Sequence, residues 1–292
     1  MSEKRELDTR KSMKIVTDNH FITADGLSKM SLKARKLLYL TAAQCRQNDD
    51  QFYEYSISVS DFASIMGIEK THVYQEAYKI TGELASASLT YLPDGGNRFQ
   101  HIPVTASCEY TADGHIKIEL NKRMTDFLLE LRGSFTQPLL SDFMHMRSPY
   151  SMAVWHLMQR EMHSRKPGTR RMEFYISLEE LRKVTGCEQK LKQIGEFKKR
   201  VLDKALREID ECCGVKISYE NRKQGRTVIG FDFVAVNALG IDLTDYDPPH
   251  ELVDRARRFD LSQTAKHREL TPEEKAEYET LCANAEQMTL DI

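Results

Sequence analysis

The alternation of apolar and polar positions is clearest between Lys192 and Phe233. Ile194, Phe197, Val201, Leu202, Ala205, Leu206 and Ile209 recur at helical spacing, which predicts a helix with one buried face. Arg200, Lys204 and Arg207 stand at i, i+4 and i+7 on its other side, flanked by Lys199 and Lys192. Lys198 projects toward the apolar side, so it is expected to snorkel or to lie near the helix start. Such a helix is roughly 30 Å long at 1.5 Å per residue. After it, VKISYE and TVIGFDF alternate as strands. They flank Asn221–Arg226, a cationic tip that holds Arg222, Lys223 and Arg226. A helix followed by a basic hairpin is the layout of a winged helix. For the helix alone, a merely solvated charged face is the ordinary alternative.

The remaining pattern repeats that layout upstream. Residues 1–14 are polar and read as a flexible N-terminal arm, and Ile15–Thr23 as a short strand or extended lead-in. Helices are predicted over Ser31–Arg46, Ser58–Gly67 and Thr71–Leu84, and residues 121–131 also look helical. Strands are predicted over Phe52–Val59, Leu89–Leu92, Ile102–Tyr110 and His115–Leu120. A helix over Ser148–His163, a strand over Phe174–Ser177 and a second capped helix over Ser177–Gly186 follow. Shifted by 119 residues, ISVSDFASIMGI at 57–68 aligns with ISLEELRKVTGC at 176–187. Both helices open on a serine with an acid three residues on and close on glycine. One architecture is used twice.

The expected fold is therefore α+β, two tandem winged-helix domains related by an internal structural repeat. Domain 1 spans 15–131 and is assigned dimerisation and DNA-backbone contacts. The connection is 132–147. Domain 2 spans 148–237 and is the main DNA reader. Two such modules in tandem suit half-sites about 34–36 Å apart, one turn of DNA. Phe21, Leu32, Leu37, Tyr39, Phe62, Trp155, Phe174 and Phe231 are expected in the core.

Charge changes the picture more than composition does. The net charge of −2 hides a strong asymmetry. Residues 160–230 hold 18 Lys and Arg against 11 Asp and Glu, whereas 241–292 hold 6 against 13. A basic module with an acidic C-terminal tail (238–292) points to a polyanion partner. Two short helices are expected in the tail, at 250–259 and 271–284, within either a disordered acidic segment or a docking segment. No run approaches the ~20 apolar residues of a membrane span, and the N-terminus has no apolar signal core, so a cytoplasmic protein is expected.

Candidate chemistry is sparse. The six cysteines, 45, 108, 187, 212, 213 and 282, show neither metal-ligand spacing nor a disulfide framework. There is no phosphate-binding Gly-rich Lys-Ser/Thr loop and no His-x-His pair beside a tyrosine. His156 and His163 lack the acidic partner of a zinc protease and read as packing or surface residues. No catalytic residue, metal or cofactor is expected. On domain 1, the helix equivalent to the basic one offers only Thr71, His72, Gln75 and Lys79, a thin charge suited to anchoring a phosphate. On domain 2, Arg200 and Lys199 are the first candidates for base or phosphate contact, because the planar guanidinium fork matches guanine O6 and N7. Arg207 and Lys204 compete with pairing to Asp203 and Glu208. Arg222, Lys223 and Arg226 suit phosphates.

Several segments, in order, resemble the iteron-binding plasmid replication initiators. Leu131-Arg132-Gly133-Ser134-Phe135-Thr136-Gln137 resembles their Leu-x-x-x-Phe-Thr segment, and Ser148-Pro149-Tyr150-Ser151 their Ser-x-Tyr helix start. Phe197-Lys198-Lys199-Arg200-Val201-Leu202 resembles their second recognition helix. Lys223-Gln224-Gly225-Arg226 resembles their Lys-x-Gly-Arg wing. The resemblance covers about 15–236 and implies a tandem winged-helix protein without a catalytic site. It implies that monomers bind double-stranded DNA at direct repeats of an origin. It also implies that dimers, joined through domain 1, repress the protein's own promoter. The partners it implies are the host replication initiator, the replicative helicase and chaperones. A winged-helix transcriptional regulator with no replication role is the alternative, since both need the same DNA-reading surface.

Overall fold

The computed structural model describes residues 4–6, 13–45, 49, 51–91, 99–129, 135–163, 171–237 and 271–280. In the first half, β1 (Lys4–Glu6) and β2 (Thr17–Asp18) precede α1 (Asn19–Ile22) and α2 (Leu32–Ala42). Then come β3 (Glu54–Ser58), α3 (Val59–Met66), α4 (Val73–Ser86), β4 (Ser88–Tyr91), β5 (Gln100–Pro103), β6 (Thr105–Tyr110), β7 (His115–Leu120) and α5 (Thr125–Leu128). β8 (Phe135–Thr136), α6 (Leu140–His145) and α7 (Pro149–His163) lead into the second half. It comprises β9 (Arg171–Ser177), α8 (Leu178–Thr185), α9 (Ile194–Phe197), a π-helical turn at Lys198–Leu202, α10 (Asp203–Cys213), β10 (Val215–Gln224) and β11 (Thr227–Asn237).

Two winged-helix domains stand in tandem, and the repeat is visible in their local chemistry. Ser58 caps α3 by accepting from the Asp61 N–H, and Gly67 closes it at φ 62°. Ser177 caps α8 by accepting from the Glu180 N–H, and Gly186 closes it at φ 63°. In each domain a strand leads into this short helix, a second helix follows, and a hairpin returns to the strand. The sheet orders are β1-β3-β7-β6 and β10-β11-β9.

Several expectations change in detail. The N-terminal arm is not wholly free, because Lys4–Glu6 pairs in parallel with β3. The lead-in at 15–23 is half strand and half helix, with Asp18 accepting from the His20 N–H at the start of α1. The single strand expected over Ile102–Tyr110 is two strands in different sheets. β5 pairs with β4 and β6 with β7, and the break at Val104 bonds instead to Ala87 and Asn121. Connection 132–147 carries structure of its own, since β8 pairs with β2 and α6 follows it. β9 begins at Arg171, three residues before the expected strand.

A single hydrophobic cluster runs from Ile15 to Ala235 through both domains. Phe21, Leu37, Tyr39, Phe62, Trp155, Phe174 and Phe231 are buried in it, and Leu32 packs at its margin. α7 is the common wall. It packs against α8 and α10 on one side and against α1 and β8 on the other. Polar groups also fasten the two halves. The Arg35 guanidinium donates to the carbonyls of Leu27 and Pro149, and Lys36 Nζ donates to Met144 O at 2.7 Å.

His156 lies inside this wall, with Nδ1 2.8 Å from the Tyr39 hydroxyl and Nε2 3.2 Å from Thr17 Oγ1. A neutral imidazole satisfies both contacts, one nitrogen donating and one accepting. Burial, then the nearby Arg35 and Arg160, push its pKa down to about 3. Asp142 is its opposite: burial pushes the carboxyl up to about 6, against the lowering effect of the Trp155 indole N–H at 3.0 Å.

The five described cysteines are free thiols; Cys282 lies outside the described residues. The expected helix at 250–259 also lies outside them. Of the expected helix at 271–284, residues 272–280 are helical. Its start is a reciprocal capping box: Thr271 Oγ1 accepts from the Glu274 N–H at 3.2 Å, and Glu274 accepts from the Thr271 N–H at 2.9 Å. Among the described residues no helix is long and apolar enough to cross a membrane.

Candidate nucleic-acid interface

The helix of domain 2 runs from Ile194 to Cys213 without a break in the chain direction, but its second turn is π-helical. Phe197, Val201, Ala205 and Ile209 are all fully buried, and they follow one another at i+4 with no i+3 step. In a regular α-helix such a row drifts by about 40° per step. The wider π turn lets the row stay on the core. It also resolves the place of Lys198, which leaves the apolar side toward the wing. Its ammonium lies 5.2 Å from the Tyr219 ring centroid and 3.3 Å from Asn221 Oδ1. Tyr219 in turn donates to Asp203 Oδ1 at 2.7 Å, so strand β10 is tied to the helix at two points.

The other cations of this helix face outward. Lys199, Lys204 and Lys192 are exposed and form no ion pair among the described residues. Arg200 pairs with Glu196 at 2.7 Å, one turn earlier, with both side chains well exposed. An exposed pair of this kind holds only about 0.3–0.5 kcal/mol, little enough to be exchanged for a phosphate or a base. Arg207 is exposed and donates from Nε to the Asp203 carbonyl at 3.1 Å, so it is not held by the Glu208 carboxylate as an acidic partner.

The wing is longer and its tip tighter than the sequence suggested. The turn is two residues, Gly225 and Arg226, with Gly225 at φ 62° in the first central position. Asn221, Arg222 and Lys223 lie within the ladder, and a register shift falls between Arg222 and Lys223. Arg222 is turned inward. It pairs with Asp232 and its guanidinium lies 4.3 Å above the Tyr175 ring. The ring reaches this place because position 230 is glycine; a Cβ there would come within 2.5 Å of Tyr175 and of the Ile176 carbonyl. Lys223 and Arg226 stay exposed at the tip, without ion pairs among the described residues.

A groove of about 500 Å³ lies between the helix and the start of α7. Arg200, Lys204 and Arg207 line one wall, and Arg147, Ser148 and Tyr150 the other, with Glu208 and Glu211 at one end. Glu208 accepts the Arg147 backbone N–H at 2.6 Å, and Glu211 takes Arg147 Nη2 at 3.0 Å. Sequence reasoning missed Arg147 and Tyr150 as members of this surface, because they lie about 50 residues before the basic helix. The Ser-Pro-Tyr helix start was the available signal: it places the first turn of α7 beside that helix.

Domain 1 offers a different surface. His72, Gln75 and Lys79 are exposed on or just before α4, and Lys79 pairs with Glu76 at 3.5 Å. What the sequence reading passed over there is aromatic. Tyr74 and Tyr78 are 61% and 75% exposed, and Tyr74 packs edge-on against Tyr110 of β6 at 5.2 Å. Among the described residues no group of histidine, cysteine and carboxylate side chains is arranged to hold a metal.

Against known proteins, the sequence profile described as Initiator Replication protein, WH1 matches residues 14–159, and the one described as Initiator Rep protein, WH2 matches 177–234. Together they span well over half of the chain. The chain belongs to the replication initiator family. Among solved structures this initiator is similar to the Pi initiator protein, whose crystal structure is in complex with iteron DNA. The TM-score is 0.67 at 19% sequence identity, over 78% of this chain and 99% of that one. It is also similar to domains 2 and 3 of RctB, with a TM-score of 0.40 and 10% identity, over 70% of this chain and 82% of that one.

Proposed function

We propose that this initiator starts plasmid replication by binding direct repeats of its origin as a monomer, and that domain 2 supplies most of the sequence reading. The observation that carries the reading is the recognition helix of domain 2. It holds its apolar row on the core and presents Lys199, Arg200, Lys204 and Arg207 outward beside the wing cations Lys223 and Arg226. A guanidinium on such a helix matches guanine in a major groove, while wing lysines suit phosphates. His72, Gln75 and Lys79 of domain 1 anchor the neighbouring backbone in this reading. Lys192 also lies on the DNA side; Lys198 and Arg222 act mainly by tying the wing to the helix and to β9. The shared fold with the Pi initiator protein, described with iteron DNA, supports the same reading.

Self-association through domain 1, with dimers repressing the promoter, belongs to this proposal. It is supported by β6, which ends the order of its sheet among the described residues, and by the exposed tyrosines beside it. Host initiator, replicative helicase and chaperones are the protein partners proposed, and the cytoplasm is the proposed place of action.

The test starts with the duplex that the full chain enriches from a random-sequence pool. Arg200→Ala is expected to cost roughly 1–3 kcal/mol on that duplex and to relax preference at one base pair. Equal weakening on a scrambled duplex makes Arg200 a phosphate anchor instead. Direct repeats of the enriched sequence beside the coding region are expected to sustain a marker plasmid only when the chain is supplied. Promoter repression with no plasmid maintenance gives the transcriptional-regulator alternative.

A further inference from the structure

Between α8 and the recognition helix, the chain from Cys187 to Lys192 is wrapped around one side chain. Arg182 Nη1 donates to the carbonyls of Cys187 and Lys190 at 2.8 and 2.9 Å. Its Nη2 donates to the carbonyls of Leu191 and Lys192 at 2.9 and 3.1 Å. The guanidinium carbon lies 4.7 Å from the ring centroid of Phe197, which is fully buried in the first turn of the recognition helix. The cage therefore reaches from α8, through the loop, to the first turn of the reading element.

The loop does not hold this shape by its own preferences. Leu191 sits at φ 49°, the one non-glycine residue with positive φ among the described residues. For a branched side chain that region is disfavoured, so it persists only where the surroundings impose it. Four carbonyls turned toward one point also repel each other unless a donor sits between them. Only arginine has a planar fork that meets four acceptors at once; a lysine ammonium has three donors and no plane. With the carbonyls turned inward, Lys190 and Lys192 are left exposed on the outside of the loop.

We propose that Arg182 is a positioning residue for DNA reading. It sets where the recognition helix begins and at what angle it leaves the scaffold, and it fixes the two loop lysines relative to that helix. The inference rests on the reading of this helix as the DNA-reading element. It differs from a general stabilising role because a helix displaced at its start loses base register while its charge still finds phosphates.

The experiment uses the full chain, the duplex it enriches from a random pool, and a scrambled duplex, each across a salt series. Arg182→Lys keeps the charge and loses the fork. It is expected to weaken the enriched duplex about tenfold, as befits the loss of at least one charged hydrogen bond, and to leave the scrambled duplex within about twofold. Lys192→Ala is expected to flatten the salt slope by about one unit in the wild-type background and by much less beside Arg182→Lys, because the lysine is then no longer held in place. Equal loss on both duplexes, or an unchanged Lys192→Ala effect, overturns the proposal. Should Arg182→Lys fail to fold in a thermal melt, Phe197→Leu gives the second route, since it removes the ring beneath the guanidinium and keeps apolar bulk. A loss confined to the enriched duplex supports the proposal there, and an equal loss on both overturns it. Arg200→Ala runs alongside. No effect of that variant removes the helix as the reader and the proposal with it. An effect of Arg200→Ala together with an unselective Arg182→Lys removes the proposal alone.

Discussion

The two winged helices share their scaffold and differ in what they show to solvent. Both use a serine cap, a left-handed glycine and a following helix, yet α4 presents Tyr74, Gln75, Tyr78 and Lys79 where the domain 2 helix presents Lys199, Arg200, Lys204 and Arg207. Their hairpins diverge likewise. β6 and β7 are six residues each, while β10 and β11 run to ten and eleven and carry Lys223 and Arg226 to an exposed tip. The difference shows that the fold prescribes the buried residues and leaves the outward ones open to a division of labour, with charge on one copy and aromatic surface on the other.

The largest break in that contrast comes from charge removal. Replacing Lys199, Arg200 and Lys204 together with Ala is expected to weaken DNA binding by on the order of a hundredfold and to flatten the salt slope by about three units. Replacing His72 and Lys79 together is expected to flatten it by about one unit at most, since neutral histidine releases no counterion. Binding isotherms at several salt concentrations give both slopes, and equal slopes for the two variants would erase the assigned division of labour.

The buried titratable pair gives an effect of similar size on stability rather than binding. His156, held near a pKa of about 3, binds no proton in the folded state until well below its unfolded value, so it withdraws stability as pH falls below about 6.5. Asp142, raised to about 6, binds its proton early and adds stability as pH falls from 6 toward 4. The two nearly cancel in that interval. Asp142→Asn removes one side of the balance, so its stability relative to wild type is expected to fall by about 2–3 kcal/mol between pH 6 and pH 4. Urea melts at the two pH values measure it, and a pH-independent difference refutes the balance.

The smallest effect compares the two helix-closing glycines directly. Gly67→Ala meets only open space, so the expected cost is about 1 kcal/mol for a left-handed alanine. At Gly186 the added Cβ would also stand 3.2 Å from the Ser28 side chain, which belongs to the other domain, so its cost should be the greater. Equal thermal shifts would mean that Ser28 yields freely and that this contact between the halves is slack.

How much of this was legible beforehand depends on the range of the interactions. Caps, periodicity and alternation act within a few residues, so α3, α8, β7 and the apolar row from Phe197 to Ile209 are readable as a string. The 119-residue repeat is readable for the same reason. The break at Val104 is not, because it is decided by backbone partners at Ala87 and Asn121. Nor is the inward turn of Arg222, which depends on Tyr175, Gly230 and Asp232 meeting across three strands. The cage around Arg182 was equally hidden, since a guanidinium that binds carbonyls leaves no pattern in side-chain types. Of the candidate site, the list of cations was visible and their assignments were not. Sequence spacing alone left Lys198 unplaced, and the π turn shows where it goes.

The shared wall at α7 has a mechanical consequence. Arg35 spans from the Leu27 carbonyl to the Pro149 carbonyl, and Tyr39 and Thr17 grip His156, so the two reading helices meet through packed side chains rather than through a tether. A tether would let each module search alone and would tolerate variable gaps between its targets. A clamped joint works as a caliper. The distance and phase between the two reading helices are set when the chain folds, and a duplex that departs from that setting must twist or bend to be held by both.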